Sequence, residues 1–98
     1  PEPPDAILAT NGILTIASIQ AISSKGLRIP EDMSVIGFMS DWVSDLNTPR
    51  ITFVRHSPRE FGTQAFQLLQ GQINGDTNIY HVTANARLEV RESTRKVL

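Results

Sequence analysis

The sequence contains no cysteine, which excludes a disulfide framework and any metal site built from thiolates. This absence fits a reducing compartment, and we expect a cytoplasmic protein. No apolar run approaches the roughly 20 residues that a membrane-spanning helix needs, and no signal-peptide pattern opens the chain. The sequence therefore predicts no membrane partner.

Clustered positive charge of the kind that binds nucleic acid is also missing. Nine Lys and Arg stand against ten Asp and Glu, giving a net charge of −1 at pH 7. Binding to a phosphate backbone needs grouped cations, whereas the densest group, Arg91, Arg95 and Lys96, is interpreted as a solvated chain end. With 40% hydrophobic residues the composition is typical of a folded domain and excludes a disordered chain.

Patterns for catalysis are absent too. The sequence has no G-x-S-x-G elbow and no glycine-rich phosphate loop, and neither His56 nor His81 has an evident nucleophile partner. We interpret His56 as a residue beside a helix cap and His81 as a half-exposed strand residue. The two histidines match no metal-ligand spacing. We therefore predict a protein that is not an enzyme and has neither a cofactor nor a metal site.

What the sequence does contain is an alternation of strand and helix signals. Strands are predicted over residues 6–9, 33–38, 51–54, 79–83 and 87–91, and helices over residues 13–24, 41–46 and 58–73. Asn11 is the expected N-cap of the first helix, and Ser57, Pro58 and Glu60 form a complete helix start. This order predicts an α/β fold with a parallel sheet and right-handed crossovers.

In such sheets ligands bind beyond the carboxyl ends of the strands. The predicted ligand-binding residues all follow strands: Asn11, Gly12, Met39, Ser57 and Pro58. Met39 is unusual among them because a polar ligand favours a side chain that forms hydrogen bonds. Two interpretations of Met39 stay open, an altered pocket wall and a residue that packs at the edge of the domain core. Ser40 and Asp41 are alternative sources of polarity nearby.

Five stretches in order resemble a known family: "PDAILATNG", "AISSKGLRIPEDMSVIGF", "TPRITFVR", "FGTQAFQLL" and "LEVREST". They resemble the carboxyl-terminal third of LacI/GalR-family bacterial transcriptional repressors, and the resemblance covers residues 4 to about 94. It implies a periplasmic-binding-protein-like (type I) fold of two α/β lobes. Residues 5–48 would belong to the second lobe, 51–75 to a crossover strand and a first-lobe helix, and 77–94 to closing strands, so the chain is expected to be a fragment of a longer protein.

The resemblance also implies partners. Family members bind a small-molecule effector, such as a sugar or nucleoside, between the lobes, and they bind operator DNA as homodimers through a helix-turn-helix that this chain does not contain. The family usually has Asp at the positions of Gly12 and Met39. Losing both carboxylates predicts an effector that depends less on charged recognition.

The resemblance predicts an effector-sensing and dimerising portion of a regulator, with a periplasmic solute-binding protein of a sugar transporter as the alternative. In the family the first helix and the short turn after the second strand meet their two-fold mates. The predicted isologous interface is centred on Ile16, Ile19, Trp42 and Leu46. The alternative is that Trp42 packs within its own lobe.

Overall fold

The computed structural model describes residues 2–96 of the chain. In order, its elements are β1 (Ala6–Leu8), α1 (Gly12–Ser24), β2 (Ser34–Phe38), α2 (Asp41–Leu46), β3 (Thr52–His56), α3 (Pro58–Ile73) and β4 (Ala86–Glu89). The strands form one sheet in the order β1-β2-β3-β4, and β1 with β2 and β2 with β3 pair in parallel. The predicted α/β fold is confirmed.

Helix starts follow the capping signals in the sequence. The Asn11 side chain accepts a hydrogen bond from the Leu14 amide at 2.8 Å, and the Ser57 hydroxyl accepts one from the Glu60 amide at 3.1 Å. Each bond satisfies a backbone donor that the first helical turn otherwise leaves free. At the other end of α1, Gly26 adopts a φ of 72°, a left-handed conformation that glycine reaches without steric cost.

The predicted strand over residues 79–83 is wrong, because the structure places these residues in a loop. Asp76 holds the start of this loop by accepting hydrogen bonds from the Asn78 amide at 2.9 Å and the Tyr80 hydroxyl at 2.7 Å. A strand needs a neighbouring strand for its backbone groups. The β-forming side chains alone do not supply one.

The chain divides into two compact units. The first runs from the start of the described residues to Arg55 and resumes at Arg87, while the second is the excursion His56–Ala86. The first unit holds most of the sheet together with α1 and α2, and the second holds α3 and the loop after it.

The core of the first unit lies between α1 and β2. Ile22 packs against Met33 and Val35, with Ile7 and Ile19 partly buried beside them. Only part of the apolar surface of α1 therefore faces this core. The residue that α1 buries most completely is Thr15, whereas Ile13, Leu14 and Ile16 are exposed.

Ser93, in the segment after β4, forms hydrogen bonds with residues of β2 and β3. Its buried hydroxyl donates to the Val35 carbonyl at 2.6 Å and accepts from the Thr52 amide at 2.7 Å. The Ser93 backbone bonds Val35 and Arg50 as well, at 3.0 and 2.9 Å. The segment thus satisfies backbone groups of β2 and β3 that would otherwise be buried unpaired.

Candidate functional site

A close approach of α1 to β2 fixes the carboxyl edge of the sheet. Thr15 is fully buried, and its hydroxyl donates to the Asn11 carbonyl at 2.7 Å and accepts from the Phe38 amide at 3.4 Å. A Cβ added to Gly37 would lie 2.4 Å from the Thr15 Cγ2, so only glycine allows this approach. The cap of α1 is thereby held against the end of β2.

Asn11, Gly12 and the residues that end β2 consequently lie at one edge. The Cα of Gly12 faces the Phe38 carbonyl, and a Cβ placed there would be 3.5 Å from that oxygen. Met39 follows Phe38 directly, and Phe38 pairs with Val54 of β3. Three of the ligand residues predicted from the sequence, Asn11, Gly12 and Met39, therefore lie near the carboxyl ends of β1 and β2.

Met39 lies on the side of this edge that residues of both α1 and α2 border. It lines an open depression of about 270 Å³ whose other apolar walls are Ile16, Ile19, Val43, Leu46 and Ile51. Methionine is well suited to an irregular apolar gap because its thioether is flexible and polarizable. This placement favours the interpretation of Met39 as a packing residue.

The remaining two predicted ligand residues lie in the second unit. Ser57 is the N-cap of α3, where its hydroxyl is engaged with the Glu60 amide, and Pro58 is the first residue of that helix. Both are exposed within their unit. Their part in ligand binding stays a prediction.

Charged residues that the sequence-based site did not include gather where β3 ends. Arg55 donates through both terminal nitrogens to the two carboxylate oxygens of Asp41, and its Nε donates to Glu89 at 2.9 Å. Arg87 donates to the same Glu89 oxygen at 2.7 Å. Arg91 lies 3.8 Å from both Asp41 and Glu89. We call Asp41, Arg55, Arg87, Glu89 and Arg91 the junction cluster.

The ring of Phe53 lies against two arginines of this cluster. The guanidinium carbons of Arg55 and Arg91 lie 5.4 and 5.7 Å from the ring centroid of the fully buried Phe53. The Nε of Arg91 is buried without a hydrogen-bond partner among the described residues. Cation–π attraction at this distance helps to hold both guanidinium groups in place.

The ion pairs set the charge states of the cluster. The hydrogen bonds from Arg55 lower the pKa of Asp41 and, together with that from Arg87, the pKa of Glu89. The same bonds raise the pKa of Arg55. Asp41 therefore already accepts two hydrogen bonds from Arg55, so its carboxylate is engaged in holding the fold.

One signal in the sequence pointed to the cluster. The alternation of the closing strand placed Glu89 and Arg91 on the same face, opposite Leu88 and Val90. The structure places Arg91 over the Phe53 ring and 3.8 Å from Glu89, and it leaves Leu88 and Val90 exposed. Sequence periodicity could not supply the partner, because Asp41 lies in a different element and is distant in the chain.

The residues predicted to form an interface lie together on the first unit. Ile16, Ile19 and Leu46 line the same depression as Met39. Trp42 is 67% exposed and Leu46 is 75% exposed, so both side chains are mostly uncovered within the described residues. Whether a second copy covers this apolar face stays a prediction.

Two further features bear on function. Within residues 2–96, no cluster of three or more His, Asp or Glu side chains could hold a metal ion. None of the helices in this described range combines the length and the apolarity that crossing a membrane requires.

Comparisons with known proteins extend over nearly the whole chain. A family model described as a periplasmic binding protein-like domain matches residues 1–94. The probable HTH-type transcriptional repressor ExuR of Bacillus subtilis (strain 168) is 34% identical over 98 residues, covering 99% of this chain and 29% of that protein. The HTH-type transcriptional repressor PurR of Haemophilus influenzae (strain PittEE) is 31% identical over 101 residues, covering 99% and 30%.

Solved structures give the same result. The transcriptional regulator CelR in complex with cellobiose is 31% identical with a TM-score of 0.75, covering 91% of this chain and 28% of that one. The lac repressor dimer bound to operator and the anti-inducer ONPF is 25% identical with a TM-score of 0.77, covering 93% and 32%. This chain spans about three tenths of the length of the curated relatives it matches.

Proposed function

Because this chain belongs to the family of periplasmic binding protein-like domains, we propose that it is the effector-sensing and dimerising part of a LacI-type transcriptional regulator. Its relatives are LacI-type repressors, and the chain is a partial effector domain of that type. The observation that best supports the proposal is the shared edge formed by Asn11, Gly12 and the end of β2. Binding groups in open α/β sheets lie at such edges.

The proposed effector is a small neutral molecule of the sugar or nucleoside type. Asn11 retains a side-chain amide at this edge, while Gly12 and Met39 supply no carboxylate. A hydroxylated ligand can be bound through neutral hydrogen bonds of this kind, which are weaker than charge-assisted ones. Among the relatives, a CelR structure contains cellobiose, which fits a polyhydroxylated ligand.

Effector binding would act on DNA indirectly. In the proposed mechanism the effector has different affinities for the open and closed arrangements of the two lobes of the full-length protein, and this differential affinity shifts the population between them. The operator is bound by a helix-turn-helix elsewhere in the full-length protein. In this proposal the full-length regulator acts in the cytoplasm as a homodimer and catalyses no reaction.

A solute-binding protein of a transporter is the alternative, since a shared fold alone does not fix function. The curated relatives are repressors, which favours the regulator. The two proposals differ in what the full-length protein contains. A helix-turn-helix preceding this region supports the regulator, whereas a secretory signal supports the transporter component.

The test uses the full-length protein and a fluorescently labelled DNA fragment from the region upstream of its gene. Fluorescence anisotropy would measure DNA binding in the absence and presence of a panel of neutral sugars, nucleosides and purines at millimolar concentration. We expect specific DNA binding that at least one neutral compound shifts by fivefold or more. If the protein binds the DNA neither alone nor in the presence of any compound of the panel, the proposed function is contradicted.

A further inference from the structure

The junction cluster lies where the chain passes between the two units. Arg55 is the last residue of the first unit before the excursion, and Arg87 is the first residue after the return. Both donate through Nε to the same Glu89 carboxylate oxygen, at 2.9 and 2.7 Å. The Glu89 carboxylate therefore links the two points at which the chain leaves and re-enters the first unit.

The same guanidinium reaches a third element. Arg55 binds Asp41 with two parallel hydrogen bonds, and Asp41 is the first residue of α2. A bidentate pair fixes orientation as well as distance, because the planar guanidinium and the carboxylate must be coplanar. The direction of α2 is thus tied to the direction in which the chain leaves β3.

The second attachment of α2 lies near its carboxyl end. The buried Ser44 hydroxyl donates to the Ile51 carbonyl at 2.7 Å and accepts from the Ile51 amide at 3.1 Å. α2 is therefore attached at Asp41 to Arg55 of β3 and at Ser44 to Ile51, the residue before β3. We infer that α2, with its exposed Trp42 and Leu46, would move with that strand as one body.

We propose that Arg55, with Asp41 and Glu89, is a positioning cluster that couples the two crossing segments to α2. Movement of the second unit would be transmitted through Arg55 to the apolar face that α2 presents. This inference rests on the proposed function in one respect, since it assumes that the two units move relative to each other when an effector binds. None of these residues is proposed to touch the effector.

The chain offers a matched control in a second ion pair of the first unit. Arg50 binds Glu92 bidentately at 2.7 and 2.9 Å and lies 3.9 Å from Asp45. It resembles Arg55 in having a bidentate carboxylate partner and a second acid nearby. Arg50 precedes β3, however, and is not at a crossing point. Arg50→Lys therefore removes a similar pair without touching the junction.

The experiment uses the full-length protein with two readouts. Spin labels on Ser24→Cys and Gln72→Cys, one exposed position in each unit, report the distribution of distances between the units. These are the sole cysteines in this region, because the native sequence has none. Amide hydrogen exchange of residues 41–46 reports the stability of α2. The variants are Arg55→Lys and Asp41→Asn, each compared with Arg50→Lys, at 0.1 and 1 M NaCl without ligand.

We expect Arg55→Lys and Asp41→Asn to speed exchange in residues 41–46 by about two- to fivefold, the range that partly exposed ion pairs support. Arg55→Lys should also broaden the distance distribution. Salt at 1 M should produce both effects in the unmodified protein, because screening weakens exposed ion pairs. Arg50→Lys should leave the distance distribution unchanged, and loss of its contact with Asp45 confines any change in exchange to the carboxyl end of α2.

Two results would overturn the coupling. In one, Arg55→Lys and Asp41→Asn behave like Arg50→Lys in both readouts. In the other, the distance distribution broadens while exchange in residues 41–46 is unchanged, which would show that α2 is independent of the crossing segments. Because these measurements need neither effector nor DNA, their outcome is distinguishable from failure of the proposed function.

Discussion

Thr15 of α1 lies so close to Gly37 of β2 that a Cβ on the glycine would fall 2.4 Å from the threonine Cγ2. We predict that Gly37→Ala destabilises the protein by about 1 to 3 kcal/mol, because an added carbon in a filled site forces the helix away from the sheet. Urea denaturation measures the change. Gly62→Ala is the control, since no atom lies within 4 Å of the Cβ it adds, and it should stabilise α3 slightly. Equal stability of Gly37→Ala and the parent protein would contradict the close approach.

Ser93→Ala should be among the more damaging small substitutions. Its hydroxyl pairs with the Val35 carbonyl and the Thr52 amide in a fully buried site. Each backbone group left without a partner costs about 1 to 3 kcal/mol. Ser24→Ala provides the comparison, because that hydroxyl is exposed on α1, and we expect a change within about 0.5 kcal/mol. Similar midpoints in chemical denaturation for the two variants would show that Ser93 is not a required link.

Met39 allows the two interpretations left open by the sequence to be separated. If it packs in the apolar depression, Met39→Asp lowers the free energy of unfolding by about 1 to 3 kcal/mol, and Met39→Leu by less than about 1.5 kcal/mol. Thermal and urea unfolding of both variants provide the measurement. A fully stable Met39→Asp protein that binds a different member of the effector panel would instead place Met39 on the wall of the effector pocket.

Association can be tested without disturbing the core. Ile19 is partly buried against Ile22, so an arginine there would damage folding as well as any interface. Leu46 is a cleaner site because it is 75% exposed, and we expect Leu46→Arg to convert a full-length dimer into monomers in sedimentation velocity. Ile13→Arg is the control, since Ile13 is 82% exposed and lies outside the depression. A Leu46→Arg variant that remains dimeric would place the interface elsewhere.

The junction cluster predicts an acid-sensitive contribution to stability. Arg55 lowers the pKa values of Asp41 and Glu89 from their ordinary values of 3.8 and 4.5. A carboxyl whose pKa is lower in the folded than in the unfolded state stabilises the fold above its unfolded pKa, and this stabilisation is lost as the pH falls through the folded pKa. Melting temperatures between pH 6 and pH 2.5 should therefore fall less steeply for Asp41→Asn with Glu89→Gln than for the parent protein. Parallel curves would contradict the pairing.

Short-range interactions encoded in the sequence determined where the helices of this protein begin and end. Asn11 and Ser57 cap α1 and α3 as expected because the donor and acceptor are only three residues apart, and α2 has the bounds predicted for it. Such short-range bonds depend little on the rest of the chain. The five quoted stretches also carried the family resemblance, since they form a long ordered pattern and not one local feature.

Only the tertiary structure decided which faces and charges meet. The apolar spacing of α1 did not single out Thr15, because its burial depends on the missing side chain of Gly37 in another element. The pairing of Asp41 with Arg55 likewise follows from the parallel register of β2 and β3, which places Phe38 beside Val54. The loop after α3 shows the converse case, since residues 79–83 have strand-forming side chains but no strand beside them. Contacts between distant elements are set by topology, and periodicity within one element carries no information about its partner.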